Sequence, residues 1–406
     1  MIHSSYYQPR VYPYGGSGAS AEIDRLQEFS GTVTTNREKI NEIGRDGTVD
    51  WRKGIPSVAL TLRQLEYGSI EFWRKLANKA DSVTSITLND FKTSVVDMAG
   101  FQTDDSGTFL GTVWYPKLRT NGWGINIGDP ESLIERSFSL IGEDQISWSD
   151  SNKYLIYLES TATGTGHMIV IGSGGFATYP DPVNDPRSSG ASQILRVVRI
   201  RAGVASELVI TTDYTWSSST NLLNIPASAS GDLYKITYTA GSYITGGTPF
   251  TLNDTDLGGI SADSCSIYLR VSNYVYRLQS VSVDVSLTRE DVKEVGNSEV
   301  VQRGVKEKTV KITLGRILED YTLERILIGA PASFGAYDVR NFQDDMTLSI
   351  YCYSDKDKGT FKIGYKFTNL SPTSTDIAVP TKDYVKAGTV LEGEEAIIAS
   401  TTAELA

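Results

Sequence analysis

Residues 25–62 read RLQEFSGTVTTNREKINEIGRDGTVDWRKGIPSVALTL, and residues 277–314 read RLQSVSVDVSLTREDVKEVGNSEVVQRGVKEKTVKITL. A shift of 252 positions superimposes the two without a gap. Thirteen of the 38 aligned pairs are identical, among them Arg37/Arg289, Glu38/Glu290, Glu42/Glu294 and Gly44/Gly296. Conservative pairs such as Ile40/Val292, Ile43/Val295 and Leu60/Ile312 extend the match. It resumes after a one-residue slip, with Ser69-Ile70-Glu71 on Thr322-Leu323-Glu324. It returns at residues 139–144 on 390–395, at an offset of 251. A spacing this long is not that of a solenoid. It is the signature of one domain used twice with other material between the copies.

Each copy opens on an alternating strand. In the first, Phe29, Gly31 and Val33 alternate with Glu28, Ser30, Thr32 and Thr34. In the second, Val281, Val283, Val285 and Leu287 alternate with Ser280, Ser282, Asp284 and Ser286. Period-two patterning of this kind predicts one apolar face turned to a core and one small, polar face turned to water. Val58, Leu60 and Leu62, and Val310, Ile312 and Leu314, repeat the pattern in a second strand, whose polar face adds Arg63 and Lys311. Other Val/Ile/Tyr/Thr-rich runs at 194–200, 233–239 and 266–271 read as strands. Helices are expected only at 69–80, with Ile70, Trp73 and Leu76 on one face, and at Thr322–Ile328, stopped by Gly329. The fold class is therefore mainly β.

Between the two strands of each copy lies a charged segment, 36–56 and 288–308. A loop of about 20 residues inside a compact domain is usually functional. Folding alone does not require two divergent copies to keep the same surface charges, and a shared contact does. Arg37, Glu38, Glu42, Arg289, Glu290 and Glu294 are therefore the candidate assembly residues. The stretch 147–264 is different in kind, with 16 charged residues in 118 against 71 in the other 288. It reads as an inserted β-rich module, giving a flexible arm at 1–19, duplicated copies at 20–146 and 265–406, and the insert at 147–264.

Composition limits the chemistry. The 406 residues carry a formal net charge of −11, which argues against a general nucleic-acid binder. Two cysteines, Cys265 and Cys352, leave either one disulfide or, the favoured reading, two buried free thiols. Two histidines, His3 and His167, and no Cys/His cluster offer little for a triad or a zinc site. The glycines at 164–166 and 172–175 match neither GxGxxG nor a P-loop. Asp254, Asp256 and Asp263 lack EF-hand spacing. No catalytic residue, cofactor or metal is expected. The N-terminus lacks a secretory pattern, and no apolar run is long enough to span a membrane.

The order of long strand, charged loop, second strand, short helix and further strands, above all NREKINEIGRDGTVDWRKGIPSVALTL at 36–62, resembles the tail tube proteins of tailed bacteriophages. The resemblance covers most of 20–144 and 265–395. It implies β-sandwich or barrel domains, six to a ring, whose joined inner sheets line a channel, with rings stacking into a tube. Some long-tailed phages fuse two such domains, so that three chains make a pseudo-sixfold ring. The resemblance further implies self-association, a tape measure protein and tail terminator or tip proteins as partners, and DNA in transit without sequence-specific binding. It implies a place in the virion, with assembly in the host cytoplasm. Glu28, Ser30, Thr32, Thr34, Ser280, Ser282, Asp284 and Ser286 become the channel-facing candidates. Two other readings stay open: a carbohydrate-binding adhesin, suggested by 22 Tyr and 6 Trp, and a β-fold glycan hydrolase.

Overall fold

The computed structural model describes residues 7–15, 21–41, 46, 50–104, 106, 108–149, 153–172, 179–183, 193–242, 258–270, 273–275, 278–292, 302–318, 320–329, 339–379 and 384–405. Their chain is mainly β, with two short α-helices, α1 at Glu71–Leu76 and α2 at Thr322–Ile328. Gly329 ends α2 in the left-handed region at φ 65°, where a residue without Cβ carries no penalty.

The duplication is visible strand by strand. In the first copy Leu26–Thr34 pairs with Ser57–Leu65, which pairs with Glu135–Gly142, which pairs with the second half of the long strand Phe109–Ile127. In the second copy Leu278–Val292 pairs with Gln302–Ile317, then Lys386–Gly393, then the second half of Phe361–Ala378. The two quartets join, because Leu278–Val292 also pairs with Phe109–Ile127, from Val281 opposite Ile127 to Ser286 opposite Gly122. The result is one continuous antiparallel sheet of eight strands.

Each long strand then turns a corner and enters a second sheet behind the first. The corner residues are Lys117 at φ 55° and Asn369 at φ 57°, again 252 positions apart. A left-handed lysine costs about 1–2 kcal/mol, and Lys117 is held there by its backbone N–H donating to Asp97 Oδ1 at 2.9 Å. Behind the first copy this outer sheet includes Tyr7–Pro13, paired along its length with Val96–Thr103. Behind the second it includes Cys265–Leu269 on Met346–Tyr353. Tyr7–Pro13 is thus the counterpart of Cys265–Leu269, and that part of the expected N-terminal arm is a buried strand. Its two prolines, Pro9 and Pro13, mask the period that would mark it as a strand.

Both copies share one core. Trp73, on α1, is fully buried and meets Trp123 at 5.0 Å, Phe138 at 4.8 Å and Tyr365 of the other copy at 6.2 Å between ring centroids. Beside it Arg136 and Glu66 form an ion pair with no exposure, and the Tyr365 hydroxyl donates to Glu66.

The insert is a module with its own core. Tyr154–Thr161, Leu233–Ala240, Ile194–Arg201 and Val204–Leu208 make one sheet. His167–Val170, Leu222–Ile225 and Thr215–Ser217 make a smaller one, and Ile156, Leu158, Ile169, Leu223 and Ile236 pack among them. It docks on the outer sheet of the first copy, away from the eight-stranded sheet. Arg196 forms a buried ion pair with Asp97 and lies 5.3 Å from the Trp114 ring. Tyr157 donates to Asp97 at 2.9 Å and stacks on Tyr12 at 3.7 Å, and Lys235 donates to the Pro13 carbonyl at 2.7 Å.

Candidate assembly surfaces

Among the described residues the eight-stranded sheet ends at two edges with no further pairing, Leu26–Thr34 and the second half of Phe361–Ala378. By the repeat, they are the counterparts of the two strands that meet in its middle. Phe29, Gly31 and Val33 correspond to Val281, Val283 and Val285. Ile377 and Val379 correspond to Ile125 and Ile127. At the seam Val285 is 1% exposed, and its counterpart Val33 at the free end is 41% exposed. Ile125 and Ile127 are 2% and 4% exposed, against 55% for Ile377 and 74% for Val379. The inward packing expected for Phe29, Gly31 and Val33 is therefore incomplete within one chain. What covers the second copy's opening strand is the first copy's long strand, and among the described residues no strand pairs with the outer side of Leu26–Thr34.

The two ends are complementary. Transferring the seam register places Ile377 opposite Gly31 and Val379 opposite Phe29. An unpaired, flat, partly apolar edge is a template for another strand. Fully burying such a side chain contributes about 1.5–3 kcal/mol. Because the two edges differ, their pairing is head-to-tail, and such contacts generate rings or filaments rather than closed two-fold dimers.

The charged segments are β-hairpin arms. Arg37–Ile40 pairs with Asp50–Lys53, and the second arm continues the hairpin of Leu278–Val292 with Gln302–Ile317. Arg289 reaches across the seam into the first copy. Its Nε donates to the Thr120 carbonyl at 2.9 Å, Nη1 to Lys92 at 3.0 Å and Nη2 to Phe91 at 2.7 Å. Burial, with Arg119 and Arg303 nearby, pulls its pKa down to about 10, so it stays charged at neutral pH. Lys308 Nζ donates to Asn89 at 3.3 Å, on the same rim of the first copy. Arg37, Glu38 and Glu290 are exposed. The counterparts of the acceptors for Arg37 lie around Phe342, Gln343 and Pro372, at the far end of the chain. At the arm's cross-strand pair Asp291 is ion-paired with Arg303, whereas the first arm has Lys39 over Trp51 at 5.3 Å, with Trp51 half exposed. Glu42 and Glu294 lie outside the described residues.

The open face of the sheet collects the polar positions. Ser30, Thr32, Thr34, Ser280, Ser282, Asp284 and Ser286 are all exposed, with Glu28 beside them. Arg63 lies between two carboxylates, 2.7 Å from Glu135 and 3.6 Å from Glu28. Lys311 stands in register between Asp284 and Glu392. Glu307, Asp376 and Lys386 lie on the same alternation, so carboxylates outnumber lysines and arginines among the described residues of the face. Among the described residues no group of three or more His, Cys, Asp or Glu is arranged for a metal, and no helix is long and apolar enough to cross a membrane.

The free-edge residues Ile377 and Val379 and the buried pairs Arg136–Glu66 and Arg196–Asp97 were not apparent from sequence. The signal for the first existed, since 374–379 aligns with 122–127, but only the strand pairing reveals it.

No protein-family model matches the chain, and no curated protein matches it. Among solved structures it is similar to a chain from the baseplate of the anti-feeding prophage, with 13% identity. The match covers 37% of this chain and 96% of that one, at a TM-score of 0.28.

Proposed function

We propose that the chain is a structural subunit of a phage tail tube, in which three copies close head-to-tail into a ring of six domains and rings stack around a channel for DNA. The observation that supports this reading is the seam: one chain contains one complete joint between its two duplicated copies, and its two sheet ends are the counterparts of the strands that meet there. The number six comes from the resemblance to tube proteins, and the head-to-tail sense comes from the strand order. In the ring Arg37 takes up, on the next chain, the role that Arg289 plays within the chain.

The open face fits a channel wall. Passing DNA is slowed where lysine and arginine release counterions from its phosphates. Here Arg63 is flanked by carboxylates, and the wall as a whole has an excess of negative charge. No catalytic step belongs to this reading. The tape measure protein and the terminator or tip proteins are the partners it implies, with assembly in the host cytoplasm and a final place in the virion.

Mass photometry and negative-stain electron microscopy of the purified chain test it. Particles of three chains and hollow tubes are expected. A monomer that persists at high concentration and at every salt concentration overturns the reading.

A further inference from the structure

Cys265 and Cys352 stand directly opposite each other in the outer sheet of the second copy. Directly opposed residues in an antiparallel ladder have Cα atoms about 4.5–5.5 Å apart, inside the roughly 4.4–6.8 Å that a disulfide spans. Both thiols are free and buried, and their sulfurs are 3.1 Å apart. The repeat does not require them: the first copy has Tyr7 opposite Gln102 at the same place. The two thiols differ in access. Cys265 lines a cavity of about 170 Å³ whose lining also includes Pro130 and Ser280, both exposed, and Cys352 does not line it.

We propose that this pair is an oxidation site for small-molecule disulfides, entered at Cys265 and completed by Cys352, that staples Cys265–Leu269 to Met346–Tyr353. The Cys265 thiol loses its proton to water, and its thiolate attacks one sulfur of the incoming disulfide. That S–S bond breaks, a mixed disulfide forms and the first small thiol leaves. Cys352, deprotonated in turn, attacks Cys265 Sγ. The protein S–S bond forms, the mixed disulfide breaks and the second small thiol leaves. Two protein thiols are oxidised by two electrons, and the external disulfide is reduced to two thiols. The hydrogen bond to Cys265 and burial hold the Cys352 thiol well above the ordinary range, so the reaction starts at Cys265 and its second step is slow. The chain folds as a dithiol in a reducing compartment and gains a covalent link on reaching an oxidising one. This holds whether or not the chain forms tubes.

The test uses the full-length protein and oxidised glutathione, with free thiols then alkylated in denaturant and intact mass measured. Wild type is expected to lose both alkylatable thiols within hours, with a mass lower by about 2 Da and no retained glutathione. Cys352→Ala should stop at the mixed disulfide on Cys265, and Cys265→Ala should leave Cys352 unreacted. Circular dichroism checks that both variants fold; if one does not, the wild-type masses alone decide. Two unreacted thiols after a day, or glutathione retained on the wild-type chain, would overturn the proposal.

Discussion

Arg37 and Arg289 occupy the same position in the two copies and have opposite surroundings. Arg289 donates to three carbonyls of the first copy, and hydrogen bonds from a charged group contribute about 1.5–3 kcal/mol. Arg289→Ala should therefore lower the stability of the isolated chain by about that amount, read as a shift in the urea midpoint. Arg37 is exposed, and surface substitutions usually stay within about 0.5 kcal/mol. Arg37→Glu should leave the urea curve unchanged and abolish ring formation in mass photometry. Equal effects of the two substitutions on stability would mean that Arg37 already has its partner within the chain. A third arginine tests the core: Arg136 and Glu66 are both without exposure. Removing one partner of such a pair costs about 3–5 kcal/mol, so Arg136→Ala should unfold at markedly lower urea, while Arg136 and Glu66 replaced together by Met and Leu should recover most of the loss.

At the scale of strands, the contrast between seam and free edge yields a paired experiment. Ile125→Asp places a charge in a buried seam and should prevent folding or cost several kcal/mol. Ile377→Asp, at the corresponding position of the free edge, should leave the circular dichroism melt within a degree or two and block closure. Loss of folding by both would show that the edge is covered within the chain. Much of this architecture was legible in the sequence. The alternation at 28–34 and 280–287, the break at Gly329 and the duplicated 38-residue block follow from local chemistry, and the exposed polar row of Ser282, Asp284 and Ser286 follows with them. The seam did not, because which edge meets which depends on pairings between strands about 160 residues apart, such as Val281 with Ile127. The strand Tyr7–Pro13 was missed because two prolines in seven residues mask its period. The arms read as loops because their charges, all exposed in Arg37–Ile40, carry no apolar face to mark a strand.

For the whole molecule, the docking of the insert changes what its removal should do. It covers Tyr12, Phe101 and Trp114 and neutralises Asp97, so cutting out about 150–257, which keeps Ile260 in the main core where it bonds Glu66 and Ile134, bares an apolar patch and orphans a buried carboxylate. In the second copy no described module docks on the corresponding sheet, which carries Arg270, Thr347 and Lys366 where the first has Tyr12, Asp97 and Trp114. The simple deletion is expected to aggregate, whereas the deletion carrying Tyr12→Arg, Asp97→Thr and Trp114→Lys should stay soluble and still close into rings, as judged by light scattering and microscopy. Failure of the repaired deletion to close would place the insert within the joint. The insert rides on one copy only, and this has a consequence for the proposed ring as an object seen from two sides. From the bore, successive walls repeat every sixth of a turn; from outside, protrusions repeat every third. Image averaging with sixfold symmetry should keep the inner wall sharp and blur the protrusions to half occupancy, and imposing threefold symmetry should restore them.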